Sequence, residues 1–215
     1  MTAGPADTRT VGIYLYDGVE VLDLAGPFEV FSDAALVALR STPGAARPFR
    51  VVTLAATDAA VTAGGGLIIE PQFTIADHPP LDVLIVPGGV VEAELGRAGV
   101  IAWIAATHQA AQITVSVCTG AFLLGQAGLL AGKSATTHWD DIAELGRMFP
   151  DTNVVDDARW IDEGSVVTAA GISAGLDVSL YLVARLAGDD LARETARYMD
   201  YRWRSDPRED GEPGA

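Results

Sequence analysis

The single cysteine of the chain, Cys118, lies where a predicted strand passes into a predicted helix. Residues 113–117 alternate like a buried strand, and residues 121–130 have the apolar spacing of a buried helix. The first N–H groups of a helix favour a thiolate over a thiol, so we expect the pKa of Cys118 to be lowered. The cysteine would then be the nucleophile of a strand–nucleophile–helix turn. The alternative is a small, inert core residue.

A carboxyl group that could exchange protons with this cysteine is that of Asp23. It lies between two leucines at the start of a predicted helix, beyond the first predicted strand and the turn that follows it. Aspartate is also a common N-cap residue, because its side chain accepts hydrogen bonds from the first N–H groups of a helix. The two roles are compatible, since a capping carboxylate beside a cysteine can also donate and accept a proton.

Two further pairs of residues follow predicted strands. Gly88 and Gly89 come after the apolar run 82–86, and they could let backbone N–H groups approach a developing negative charge. His138 and Trp139 follow the run 134–137. The histidine could orient the thiolate, or it could form a pocket wall together with the tryptophan.

The composition predicts neither a metal nor a cofactor. The three histidines are scattered without paired spacing, which is not the pattern of a metal site. The glycine triplet 64–66 has no following Lys-Ser/Thr and no following helix, so it is not a phosphate-binding loop.

The charge and hydropathy of the chain limit the binding partners and the cellular compartment that we expect for it. The net charge of −15 disfavours binding to nucleic acid or to anionic membranes. We see no signal peptide, and no apolar run approaches the 18 residues of a transmembrane helix. One cysteine excludes an intrachain disulfide and fits a reducing cytoplasm, so we expect a cytoplasmic protein whose partner is a small molecule.

Short apolar strands alternate with helices of ten to fourteen residues, which predicts an α/β fold. We expect a flavodoxin-like, doubly wound and mainly parallel sheet with helices on both faces. Residues 10–203 would form one domain, with disordered tails at 1–9 and 204–215. In such sheets, sites form at the carboxyl ends of the strands. The residues expected to converge there are Asp23, Gly88, Gly89, Cys118, Thr119, His138, Trp139 and the segment Gly171–Ser173.

Four segments of the chain resemble the ThiJ/PfpI superfamily, whose fold is similar to that of class I glutamine amidotransferases. They are GVEVLDLAGPFEVF (18–31), DVLIVPGG (82–89), SVCTGAFLLGQAGLLAGKSATTHW (116–139) and TAAGISAGLDVSL (168–180). The chain looks most like the isonitrile hydratase branch and the related sensor domains of AraC-type transcription regulators. The resemblance extends over nearly the whole chain.

The resemblance implies a role for each matching residue. Cys118 would be the nucleophile, Asp23 the acid that pairs with its sulfur, and Thr119 the residue whose N–H and hydroxyl face the site. Gly88 and Gly89 would supply the oxyanion region. Ile172, in the segment GISAG, would lie close to the cysteine. Peptidase-like members carry Cys-His at the turn, whereas this chain has Cys-Thr, which argues against peptidase activity.

The resemblance also implies an enzyme without a cofactor that hydrates an isonitrile to an N-substituted formamide. Two alternatives are a ligand- or oxidation-sensing module that acts through partners, and a glyoxalase- or deglycase-like enzyme that acts on an aldehyde. Superfamily members are usually dimeric, so we expect a homodimer.

Overall fold

The computed structural model describes residues 8–42 and 44–208, and in it strands and helices alternate along much of the chain. The strands are β1 (Arg9–Leu15), β2 (Phe49–Ala55), β3 (Val61–Thr62), β4 (Ile68–Ile69), β5 (Phe73–Thr74), β6 (Val83–Val86), β7 (Ile113–Val117), β8 (Ser134–Ala135), β9 (Asn153–Val154), β10 (Trp160–Asp162) and β11 (Val166–Ala169). The helices are α1 (Val21–Ser41), α2 (Glu92–Leu95), α3 (Ala98–Ala110), α4 (Gly120–Gln126), α5 (Ile142–Met148), α6 (Ala174–Ala187) and α7 (Asp189–Tyr198).

Seven strands form one central sheet in the order β10-β11-β7-β6-β1-β2-β5. Its neighbouring strands are parallel, apart from β10, which runs antiparallel to β11. Strand β2 lies on one side of β1, and β6 and β7 lie on the other side. The strand order therefore reverses between β1 and β6, where open α/β sheets form their binding crevice.

The central strands are buried because both faces of the sheet are covered. Every residue of β6 and of β7 is buried, as expected for parallel strands that are covered on both faces. Helices α1, α6 and α7 pack against one another, and α3 packs against α4. The predicted α/β fold with a mainly parallel sheet is confirmed. Within the described ranges, no helix is long and apolar enough to span a membrane.

Two details of the structure differ from the sequence predictions. Helix α1 begins at Val21, two residues before Asp23, which was predicted to lie at its start. Strands β3 and β4 form a hairpin outside the central sheet. The predicted strand 134–137 is reduced to β8, which pairs with β9 in another small sheet. A short apolar run indicates extended backbone, but it does not specify the strand with which it pairs.

Residues 1–7 and 209–215 of the predicted tails lie outside the described residues. Arg9, also predicted as tail, is paired with Phe49 as the first residue of β1. The segment 204–208 was predicted to be disordered because it lacks core-forming side chains. In the structure it is held by its backbone: Arg204 donates its N–H to a carboxylate oxygen of Asp177, and the carbonyl of Pro207 accepts the N–H of Arg159.

Candidate active site

Cys118 occupies a strained turn between β7 and α4. Its φ of 57° lies in the left-handed region, which a residue with a side chain seldom adopts. The surrounding backbone fixes this conformation, because the Cys118 N–H donates to the carbonyls of Ala169 and Ala170, both at 3.1 Å. The Cys118 carbonyl accepts the hydroxyl of Thr137 at 2.8 Å. Such over-determined strain is typical of functional sites, and this geometry is that of a nucleophile elbow.

A glycine lets the turn after β6 approach the elbow closely. A Cβ atom on Gly88 would lie 2.6 Å from the Thr119 nitrogen and 2.8 Å from Cys118 Cβ, closer than side-chain atoms pack. The turn itself is fixed by the hydroxyl of Tyr16, which donates to the carbonyl of Pro87 at 3.0 Å. The carboxyl ends of β1, β6 and β7 therefore meet around Cys118, as the positions of these residues after strands predicted.

Asp23 is a fully buried residue inside the first turn of α1. The N-cap position is taken by Glu20, so the interpretation of Asp23 as the N-cap is wrong. Its Oδ2 instead accepts the N–H of Gly88 at 3.0 Å, a bond that joins α1 to the turn after β6 across the crevice. Its Oδ1 has no hydrogen-bond partner among the described residues. A carboxyl group buried with one unpartnered oxygen favours its protonated form.

The pKa of Asp23 accordingly rises from 3.8 to about 7. Burial is the main cause, and the charge of Glu20 adds to it. The hydrogen bond from Gly88 and the proximity of the Cys118 thiol lower the pKa only in part. A carboxyl group that titrates near neutral pH can both donate and accept a proton there, which is the property of a general acid and base.

The pKa of Cys118 is raised from 9.0 to about 12, so the prediction of a lowered pKa is wrong. Burial contributes most, followed by the negative charge of Asp23 and, more weakly, that of Asp141. The N–H groups of Thr119 and Ile172 lower the pKa but do not compensate. At neutral pH the sulfur is therefore a thiol, and it needs a base to attack.

The amides predicted to stabilise an oxyanion are already engaged. Gly88 donates its N–H to Asp23, and Gly89 donates its N–H to the Thr119 hydroxyl at 2.9 Å. That hydroxyl is also within hydrogen-bonding distance of the Gly89 carbonyl, at 2.9 Å, so Thr119 holds the glycine turn against the elbow. The donors that act on the sulfur are the backbone N–H groups of Thr119 and Ile172.

Ile172 thus contributes to the site through its backbone. Its φ is 39°, a conformation that few residues with a branched side chain adopt. Sequence reasoning placed Ile172 beside the cysteine but did not identify this N–H as the contributing group. It also missed Thr137, although this residue lies in the segment 116–139 on which the resemblance rests.

His138 and Trp139 lie on a cavity of about 370 Å³ next to the elbow. The Nδ1 atom of His138 accepts the N–H of Asp140 at 3.3 Å and lies 3.5 Å from an oxygen of Asp141. These contacts join the imidazole to neighbouring residues of its own turn. They favour His138 as part of the pocket wall over a role in orienting the thiolate. The cavity is lined by Thr137, His138, Trp139, Asp156, Arg159, Ala170, Gly171, Ile172 and Ser173.

No group of three or more histidine, cysteine, aspartate or glutamate side chains in the described part of the chain is arranged to hold a metal ion.

Comparison with known proteins places this geometry in a family. The model of the DJ-1/PfpI family matches residues 9–185. The chain is 36% identical to an isonitrile hydratase from Pseudomonas putida over 196 residues, which cover 89% of this chain and 78% of the hydratase. It is 28% identical to the HTH-type transcriptional regulator GbdR from Pseudomonas aeruginosa, over 90% of this chain and 51% of the regulator.

A similar solved structure is that of a ThiJ/PfpI family protein from Pseudomonas syringae. It superposes with a TM-score of 0.80 at 28% identity, and the match covers 100% of this chain and 82% of the other. The family match spans residues 9–185, which include the elbow cysteine and all strands of the central sheet. The chain belongs to the DJ-1/PfpI family.

Proposed function

We propose that this chain is an isonitrile hydratase-like hydro-lyase that uses Cys118 as its nucleophile and Asp23 as its acid and base. The observation that carries the proposal is the buried carboxyl group of Asp23, which has a pKa of about 7. This group lies next to the thiol that it has to deprotonate. The relationship to an isonitrile hydratase supports the choice of substrate.

In the first step, the Asp23 carboxylate takes the thiol proton while the sulfur attacks the terminal carbon of the isonitrile. Asp23 then gives this proton to the same carbon, which yields a thioimidate, R–N=CH–S–Cys118. General-base assistance is required because the pKa of Cys118 is raised, so little thiolate exists beforehand. The N–H groups of Thr119 and Ile172 stabilise the charge that develops on sulfur during this attack.

In the second step, water adds to the thioimidate carbon while Asp23 accepts one of its protons and passes it to the nitrogen. The resulting adduct carries a hydroxyl group. When its C–S bond breaks, the hydroxyl proton returns through Asp23 to the sulfur. The products are the N-substituted formamide and the free thiol, so the net reaction is the addition of one water molecule to the isonitrile. No other co-reactant is consumed.

The proposal is tested by incubating the purified chain with cyclohexyl isocyanide and measuring the N-cyclohexylformamide formed. We expect formation by the parent protein and none above background with Cys118→Ser, which keeps the size of the side chain but removes the sulfur. Absence of formamide with a folded parent protein would refute the proposal.

A second candidate function is ligand sensing without catalysis. It is favoured by one observation in particular, the raised pKa of Cys118, because a buried thiol of high pKa is chemically inert. The relationship to GbdR is compatible with it, although the chain spans only about half of that regulator. A parent protein that is stabilised by a small molecule which it does not convert would support this alternative.

A further inference from the structure

The cavity beside the elbow contains a cationic group that the proposed reaction does not use. Arg159 lies just before β10 and lines the cavity together with the segment Ala170–Ser173. Among the described residues that line this cavity, Arg159 carries the permanent positive charge. Its side chain is about one-fifth exposed, so the guanidinium group remains accessible from the cavity.

The guanidinium group is held in a fixed orientation from behind. Its Nε donates to Asp177 Oδ2 at 2.8 Å, and its Nη2 contacts the same carboxylate. Asp177 is fully buried, and it also accepts the hydroxyl of Tyr201 at 3.0 Å and the N–H of Arg204 at 3.1 Å. With this many donors, the carboxylate is satisfied by contacts that do not involve the cavity. Asp177 thus fixes the orientation of the Arg159 side chain.

The guanidinium group of Arg159 also contacts a polar residue of the cavity wall. Nη2 lies 3.4 Å from the hydroxyl of Ser173, which is exposed at the N-terminal end of α6. In the described part of the chain, the hydrogen bonds of the guanidinium group use Nε and Nη2 and leave Nη1 for a ligand. A guanidinium edge and a neighbouring hydroxyl are donors that match the two oxygens of a carboxylate.

The cavity also adjoins the elbow, although Cys118 itself is not among the residues that line it. Ile172 lines the cavity, and its backbone N–H forms a hydrogen bond with Cys118 Sγ. Thr137 lines it as well, and donates its hydroxyl to the Cys118 carbonyl. We infer that this cavity binds the substituent of the substrate and that Arg159, with Ser173, selects isonitriles that carry a carboxylate group. This inference rests on the proposed function and names the substrate class of the same site.

The negative charge of Asp156 on the cavity wall disfavours an anionic substrate. Asp156 lies on the cavity wall, but it is exposed to solvent, which screens its repulsion of an anion. The exposed indole of Trp139 together with Asp156 would instead suit a cationic substituent. A cationic substrate is therefore the competing outcome of the test.

The experiment compares kcat/KM for isocyanoacetate and 4-isocyanobutanoate, each with its methyl ester, and for the cationic 3-(dimethylamino)propyl isocyanide. A charge-assisted hydrogen bond predicts a preference of about ten- to a hundredfold for the carboxylate over its ester at one of the two lengths. This comparison needs no variant. Equal rates for acid and ester at both lengths, or a preference for the cation, would overturn the inference.

Two variants assign the preference to Arg159. Arg159→Lys keeps a cation beside Asp177 but loses the fork of donors, so the preference for the acid over its ester should fall by about tenfold. The matched control is Arg185→Lys, because Arg185 pairs with Asp162 outside the cavity. A preference retained in full by a folded Arg159→Lys variant would contradict the assignment.

Failure of the proposed function is recognised separately. If no isonitrile is hydrated at all, the hydratase proposal fails, and binding then decides about the cavity. Calorimetry would compare N-formylglycine with its methyl ester on the parent protein and on Arg159→Lys. Tighter binding of the acid, lost in the variant, supports carboxylate recognition, and equal binding of acid and ester overturns it.

Discussion

Asp23→Asn should change how the stability of the protein depends on pH. In the folded protein the pKa of Asp23 is about 7, whereas its ordinary value is 3.8. Between these two values the folded state holds a proton that the unfolded chain has released. The free energy of unfolding therefore falls as the pH rises from about 4 to about 7, and above that the contribution is lost. The difference between the two pKa values corresponds to about 4 kcal/mol.

Asparagine has nearly the same shape and keeps an oxygen that can accept the Gly88 N–H, but it cannot ionise. Relative to the parent, the variant should therefore gain stability from pH 5 to about pH 7, by about 3 kcal/mol, and the difference should level off towards pH 8. The asparagine NH2 group would have no hydrogen-bond acceptor at the Oδ1 position, which lowers the stability of the variant by about 1–3 kcal/mol at every pH. This constant cost leaves the pH dependence of the difference unchanged.

The assay is urea unfolding at a series of pH values between 5 and 8, with the parent and the variant measured side by side. Asp58→Asn is the control, because Asp58 is exposed and lies outside the site. Its difference from the parent should stay within about 0.5 kcal/mol over the same range. If the difference between Asp23→Asn and the parent does not change with pH, Asp23 is not a buried acid with a raised pKa.

Three further predictions concern the cysteine, the glycine turn and the assembly. Alkylation of Cys118 by iodoacetamide should accelerate with pH without a plateau below pH 9, and Asp23→Asn should speed it by removing a charge that raises the cysteine pKa; a midpoint under about 8.5 in the parent would contradict this. Thr119→Val should lower the free energy of unfolding by about 1–3 kcal/mol, since both polar groups of Gly89 lose their partner, whereas Thr119→Ser should restore it. Light scattering should give twice the monomer mass of 22.4 kDa, and a value near one monomer would refute the homodimer.

The position of the site followed from the sequence because each of its residues lies in the segment that follows a parallel strand. Cys118 directly follows β7, Gly88 lies two residues after β6, and Asp23 lies in the first turn of α1, the helix that follows β1. The carboxyl ends of parallel strands meet at one edge, so these residues could be placed together before their contacts were known. The cysteine segment and the aspartate segment also carried the family resemblance, which the family match supports.

The electrostatics of the site could not be derived in the same way. The sequence places Cys118 at the start of a helix, which lowers a pKa, but it does not show how deeply the sulfur is buried or how close Asp23 lies. These two effects reverse the sign of the shift. The sequence likewise identified Gly88 and Gly89 as sources of free amides, yet only the fold shows that Asp23 and Thr119 already occupy them.

The central claim is that the Asp23–Cys118 pair moves the protons of isonitrile hydration. It is tested most directly by the pH dependence of kcat/KM for cyclohexyl isocyanide, measured on the parent and on Asp23→Asn. The parent should gain activity as the pH rises through about 7, where Asp23 becomes a base. The variant should lose this inflection and at least about a hundredfold of the rate at pH 7.5 while remaining folded. A folded Asp23→Asn protein that hydrates the isonitrile at the parent rate would contradict the account.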